Sequence, residues 1–121
     1  MLYSESLKKN RDFQKVYKRG KSVANKYLIM YQIANNSERN RIGISVSKKV
    51  GNSVVRHRLT RLVREGYRLN EESFKRGLDI VVIVRPTAKD CGFHEIERAI
   101  LHIVHLFGKN YDHEKNINRN N

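Results

Sequence analysis

Residues 48–68, Lys-Lys-Val-Gly-Asn-Ser-Val-Val-Arg-His-Arg-Leu-Thr-Arg-Leu-Val-Arg-Glu-Gly-Tyr-Arg, hold seven Lys or Arg side chains and one acid, Glu65. Wound at 3.6 residues per turn, Val55, Leu59 and Leu62 make one apolar stripe, with Val63 at its edge. His57, Arg61, Arg64 and Arg68 fall at i, i+4, i+7 and i+11 on the opposite face, flanked by Arg56 and Arg58. Like charges at i,i+4 repel by roughly 0.2–0.5 kcal/mol, so stacking Arg on Arg makes sense where anions lie between them. The planar guanidinium fork makes bidentate contacts to phosphate oxygens. The chemistry is therefore recognition of a phosphate backbone rather than bond-making. A merely solvated basic face is the competing reading, and the clean separation of faces favours nucleic acid. Lys48, Lys49, Gly51 and Asn52 lead into this helix, whose N-terminal N–H groups also favour anions, although an ordinary strand-to-helix turn explains the same spacing.

A second set of residues lies earlier in the chain. Phe13, Val16 and Tyr17 are spaced i, i+3, i+4 and interleave with Lys15, Lys18 and Arg19. Aromatics interleaved with cations in this way could supply a stacking platform for bases with phosphate neutralisation beside it. Plain packing of the rings on a sheet fits the same residues. Catalytic signals are weak. The first 68 residues contain only Glu5, Asp12, Glu38 and Glu65 as acids, with no convergent carboxylate set of the kind a two-metal site needs. His94, His102 and His105 lack a third ligand at a recognised spacing and read as structural or surface histidines. The single Cys91 excludes an internal disulfide and a multi-cysteine zinc site, and reads as a loop or core residue.

The elements that must position these residues follow from periodicity. A helix is expected over about 6–18, ended by Gly20. Residues 26–34 read as a strand, with Tyr27, Ile29, Tyr31 and Ile33 on one face and Leu28 and Met30 on the other. Residues 41–47 alternate cleanly with Ile42, Ile44 and Val46 inward, and the polar turn at 35–40 predicts an antiparallel hairpin between these two strands. The basic helix starts at Asn52 or Ser53 and runs to about Leu69. Residues 79–84, with the uninterrupted apolar run Ile-Val-Val-Ile-Val after Asp79, read as a central strand, parallel to 42–47 through the intervening helix, and Pro86 ends it. A last helix over about 93–107 puts Ile96, Ile100, Ile103, Val104 and Phe107 on one face. The order α-β-β-α-β-α makes a small α/β sandwich.

The chain of 121 residues has room for one domain, expected at 1–108, followed by a polar tail at 109–121 expected to be disordered. Its net charge is +13, and the whole excess lies in residues 1–68, which hold 17 basic and 4 acidic residues. Such one-sided charge seeks a polyanion. No apolar run approaches the ~20 residues that span a bilayer, and the first residues have no basic-then-apolar signal; a cytoplasmic protein is expected. A membrane-surface role is disfavoured because Val55, Leu59 and Leu62 are needed for the core.

The segment Ser45-Val46-Ser47-Lys48-Lys49-Val50-Gly51-Asn52-Ser53-Val54-Val55-Arg56-His57-Arg58-Leu59-Thr60-Arg61-Leu62-Val63-Arg64-Glu65 resembles the signature of the bacterial ribonuclease P protein component. The likeness extends to Phe13-Gln14-Lys15-Val16-Tyr17-Lys18-Arg19-Gly20 and the Tyr31 strand, covering roughly 7–107. His57 stands where the family has Asn. The resemblance implies a mixed sheet with a left-handed βαβ crossover. It implies the non-catalytic protein subunit of a ribozyme that removes the 5′ leader of precursor tRNA, with catalysis by the RNA and its Mg²⁺. It implies that Lys48, Lys49, Asn52, Arg56, His57, Arg58, Arg61, Arg64 and Arg68 face the catalytic RNA. It also implies that Phe13, Lys15, Tyr17, Lys18 and Tyr31 line a leader-binding cleft. No metal held by the protein, no membrane and no DNA partner are expected. A general RNA-binding or ribosome-associated module is the alternative.

Overall fold

The computed structural model describes residues 1–119, with side chains through residue 109. The chain runs β1 (Ser4–Ser6), α1 (Asn10–Arg19), β2 (Lys21–Ala24), β3 (Leu28–Ala34), β4 (Asn40–Ser45), α2 (Ser53–Leu69), β5 (Leu78–Val84) and α3 (Phe93–Arg119), with single 3₁₀ turns at Glu71–Ser73 and Pro86–Ala88. The five strands form one mixed sheet in the order β1-β4-β5-β3-β2. β4 and β5 are parallel and joined through α2, as the apolar run and its helix imply.

The expected hairpin does not form. β3 and β4 are not partners, because β5 lies between them, antiparallel to β3 and parallel to β4. The reason is burial: Ile80, Val81 and Val82 are all 1 % exposed or less, and only the central position covers both faces of such a strand. The connection at residues 35–39 must then straddle the start of β5. Asn35 N donates to Gly77 O at 2.8 Å, and a Cβ on Gly77 would stand 2.3 Å from Ser37 O. With φ at +81°, Gly77 answers both demands.

β1 and β2 were not expected from the pattern. Three and four residues long, they close the two edges of the sheet, β1 parallel to β4 and β2 antiparallel to β3. Because residues 4–6 are strand, α1 starts at Asn10 rather than near 6. α3 continues to Arg119, beyond the expected end at 107. The disorder expected for 109–121 concerns, past Lys109, side chains and residues outside those described.

α2 and α3 cover one face of the sheet. Leu59, Val63 and Tyr67 meet Ile96, Ile100 and Ile103 above Leu28, Met30, Ile42, Ile80 and Val82. Each such buried aliphatic contributes about 1.5–3 kcal/mol. α1 covers the opposite face, where Val16 and Val81 are fully buried and Leu7 nearly so. Two polar networks lock these layers. In the first, the buried Tyr67 hydroxyl pairs with Ser4 Oγ at 2.6 Å and accepts from Asn40 Nδ2 at 3.3 Å. Buried Glu71 accepts from Leu2 N at 2.7 Å and Tyr3 N at 3.3 Å, which ties the N-terminal strand down. In the second, Arg41 on β4 reaches Asp79 on β5 through Nε at 2.8 Å and Nη2 at 2.5 Å, and Asp12 on α1 through Nη1 at 3.3 Å.

Gly43 on β4 sits under the α1 layer, where a Cβ would lie 2.4 Å from Phe13 Cζ. Gly43→Val is expected to cost about 1–3 kcal/mol through overpacking, read as a lower urea midpoint; an unchanged midpoint would mean that Phe13 is not seated there. Burial alone would push the Asp79 carboxyl up, but its bonds to Arg41 and Asn35 and the charges of Arg41 and Lys15 hold it below the usual carboxylate value. A folded-state value below the unfolded ~3.9 means the stabilisation is complete above that pH and lost as pH falls through the folded value. Asp79→Asn is therefore expected to lower stability at pH 7 by about 2 kcal/mol. The gap to the parent protein should shrink below about pH 4; a gap independent of pH would exclude the charged pair as its source.

Candidate nucleic-acid interface

β4 delivers the chain into a tight turn, with Val50 N donating to Ser47 O at 3.1 Å, and Val50 is buried while Lys48 and Lys49 project into solvent. Gly51 is needed for internal packing: a Cβ there would meet Val55 Cβ at 2.9 Å. Asn52 is the N-cap of α2, its Oδ1 accepting from Val55 N at 3.0 Å. The side-chain oxygen of Asn52 is thus committed to the helix, as its N-cap expectation requires.

Along α2 the buried residues are Leu59, Val63, Gly66 and Tyr67, with Val55 and Leu62 half-buried. The core stripe is turned slightly from the expected Val55–Leu59–Leu62 line because Tyr67 reaches the β1–β4 network. A Cβ at Gly66 would lie 2.8 Å from Ile100 Cδ1, so this glycine sets the close approach of α3. Outward stand His57, Arg58, Arg61 and Arg68, exposed, with Arg56 and Arg64 half-buried beside them.

These cations are not equivalent. Arg58 donates to the carbonyls of Cys91 at 2.8 Å and Lys89 at 2.5 Å, clamping the turn before α3. Arg64 Nη1 donates to Ser6 Oγ at 3.0 Å. Arg68 pairs with Glu65 at 2.5 Å, which holds the Glu65 carboxyl below its ordinary range. Arg56 Nε is buried without a hydrogen-bond partner among the described residues. His57, Arg61, Lys48 and Lys49 make no hydrogen bond or ion pair among the described residues and are left as free donors. Val54, 75 % exposed, begins the same outward face; an apolar residue there gave no signal in a stripe read by charge.

The aromatic set gathers on the other side of the sheet. Phe13, Tyr17 and Tyr31 are all half-buried. The Tyr17 and Tyr31 rings meet edge-on at 5.2 Å, and Phe13 and Tyr17 lie 6.4 Å apart. Val81, Ile33 and Ile83 form the apolar floor. Lys15 is exposed, and its charge acts on Asp79 at the polar end of this groove. Lys18 is exposed and makes no hydrogen bond or ion pair among the described residues. Arg41 was missed by the sequence reading; its signal was a single cation in the clean alternation of residues 41–47.

Among the described residues no group of three or more His, Cys, Asp or Glu gathers to hold a metal ion. Asp12 and Asp79 are both engaged by Arg41. Cys91 is buried, which pushes its thiol up and away from nucleophilic use. No helix among the described residues is long and apolar enough to cross a membrane.

Comparison with known proteins identifies the family and the fold. The ribonuclease P family model matches residues 1–108. The ribonuclease P protein component of Lachnoclostridium phytofermentans is 56 % identical over 103 residues, covering 85 % of this chain and 89 % of that protein. That of Clostridioides difficile is 52 % identical over 102 residues, covering 84 % and 90 %. Among solved structures, the Staphylococcus aureus RNase P protein superposes with a TM-score of 0.78 at 39 % identity, covering 84 % of this chain and 93 % of that one. The Thermotoga maritima RNase P protein superposes at 0.76 with 33 % identity, covering 82 % and 94 %. With the basic α2 face, the aromatic groove and the mixed five-stranded sheet all present, the chain belongs to the bacterial ribonuclease P protein family.

Proposed function

We propose that this subunit of ribonuclease P binds the catalytic RNA through the outward face of α2 and receives the 5′ leader of precursor tRNA in the groove between α1 and the sheet. The observation that carries this reading is the separation of two kinds of chemistry onto opposite faces of one sheet. Free cations line α2, and half-buried rings line the α1 side. Lys48, Lys49, His57 and Arg61 are the donors with nothing else to bind, so they are the direct phosphate contacts. Arg58, Arg64 and Arg68 already hold their own protein and present their remaining N–H groups beside them. On the other face, Phe13, Tyr17 and Tyr31 offer ring surface to single-stranded bases, each stacked base being worth about 1–3 kcal/mol, with Lys15 and Lys18 to neutralise phosphates.

In this reading the protein supplies no acid, base or nucleophile. Mg²⁺ held by the RNA supplies the Lewis acidity and the activated water for phosphodiester hydrolysis. The protein contributes position: binding the leader on one face and the RNA on the other adds affinity for precursor over product. Reconstitution with ribonuclease P RNA at low Mg²⁺ tests it. The protein alone is expected to leave precursor tRNA intact and the mixture to release the leader. Cleavage by the protein without RNA, or no stimulation of the RNA, would overturn the reading.

Two sets of variants separate the parts. Arg61→Ala is expected to weaken RNA binding about 5-fold and to lower the slope of log K against log salt by about one, with unchanged thermal stability. Arg58→Ala is expected instead to lose about 1–2 kcal/mol of stability, because two carbonyls lose their donor; a stable Arg58→Ala protein would mean the clamp carries no weight. Tyr17→Ala and Tyr31→Ala are expected to weaken precursor tRNA binding by about 1–3 kcal/mol and to leave mature tRNA binding intact. Equal losses for both substrates would exclude the leader groove.

A further inference from the structure

α3 presents an outward face that the two proposed surfaces do not use. His94, Arg98, His102 and His105 lie at i, i+4, i+8 and i+11 and are all exposed, while Ile96, Ala99, Ile100 and Ile103 are buried beneath them. The acids of this helix among the described side chains, Glu95 and Glu97, are half-buried on its flanks and engaged. Glu95 Oε1 accepts from Gly92 N at 3.1 Å, and Glu97 Oε2 accepts from Asn70 Nδ2 at 3.0 Å. Among the described side chains, the outward stripe therefore carries a cation and imidazoles with no carboxylate between them.

The donors on this stripe are available. Arg98 and His105 make no hydrogen bond or ion pair among the described residues. The His94 ring lies edge-on to Phe93 at 5.6 Å. His102 Nδ1 faces the Asn25 amide nitrogen at 3.3 Å; that nitrogen is a donor, so Nδ1 accepts and the proton of the neutral ring sits on Nε2. A recess of about 350 Å³ opens between residues 25–27 and α3, with Lys26, Arg98 and His102 on its wall and Glu95 turned within it toward Gly92. Lys26 Nζ stands 5.3 Å from the Tyr27 ring centre.

The position of the stripe identifies its partner. α2 and α3 pack side by side on one face of the sheet, joined at Gly66–Ile100 and Asn70–Glu97. Their outward faces point into the same half-space, and the aromatic groove opens on the opposite one. A polyanion lying across Arg61 and His57 would continue onto Arg98 and His105. Both guanidinium and neutral imidazole N–H groups donate to phosphate and sugar oxygens, the contacts that set register without reading sequence.

We propose that the outward face of α3, centred on Arg98 and His105, is a second backbone contact for the catalytic RNA, continuous with α2, so that the RNA lies across two helices rather than one. This rests on the reading of α2 given above. The test is an Arg98→Ala, His105→Ala double variant of the full chain, measured for binding to ribonuclease P RNA over a salt series beside Arg61→Ala. The double variant is expected to bind about 5-fold more weakly, with a salt slope lower by about one. Its thermal midpoint and its preference for precursor over mature tRNA should be unchanged. Affinity and slope equal to the parent protein would overturn the proposal. If Arg61→Ala is weakened in that same series, the α2 reading stands and only the α3 contact falls; if neither variant changes, both fall.

Discussion

β5 lies at the centre of the sheet, bonded to β4 on one side and β3 on the other, and both of its faces are buried. Ile80 and Val82 carry the α2–α3 layer, while Val81 and Ile83 carry the α1 layer. A strand apolar on both sides must be covered on both sides. With helices on each face, the molecule has two outer surfaces that cannot be reached by the same stretch of ligand. The division of the cations and the rings follows from that constraint, because α1 and α2 are sorted to opposite layers before any ligand arrives.

The charge has to be accommodated within this frame. A chain of +13 repels itself, and part of the arginine complement is engaged by the protein's own acceptors, which offsets that. Arg41 bridges Asp79 and Asp12, Arg58 reaches two carbonyls, Arg64 reaches Ser6 and Arg68 reaches Glu65. Each of these joins elements distant in sequence or adjacent turns of a helix, so the same residue type that suits phosphate also holds the fold. On the α2 side, among the described residues, Arg61 and His57 remain free, with Lys48 and Lys49 in the turn before the helix. The strength of any RNA contact there comes from a few donors already held in line by α2, whose orientation costs little on binding.

Much of this was legible from local pattern, and the failures share one cause. The cap at Asn52, the extent of α2, the apolar run of β5 and the inner stripe of α3 depend on neighbours within a turn or a strand, and the sequence carries them directly. β1 and β2 are polar and three or four residues long; they are strands only because β4 and β3 offer open edges. The hairpin failed because a short polar connection is equally able to cross the start of another strand, and nothing local announces that β5 will arrive there. The Tyr67–Ser4–Asn40 and Arg41–Asp79–Asp12 networks join positions 27 to 63 residues apart, beyond any periodicity. The candidate site divides in the same way. The basic face of α2 is visible in spacing, whereas which arginines are free and which are engaged is decided by β1 and by the turn before α3.

β4 is the place where the two surfaces meet mechanically. Its alternate residues face opposite layers: Arg41 and Gly43 anchor and seat α1, while Ile42 and Ile44 support the α2 side. The chain then passes from β4 directly into α2 through the Lys48–Lys49 turn. A register shift of one residue in β4 would turn every one of these side chains to the wrong layer, so the groove and the basic helix cannot be repositioned independently. If the catalytic RNA holds α2, it thereby fixes the direction in which the groove opens. In the proposed reading the leader would then be guided by a rigid strand rather than by a flexible arm.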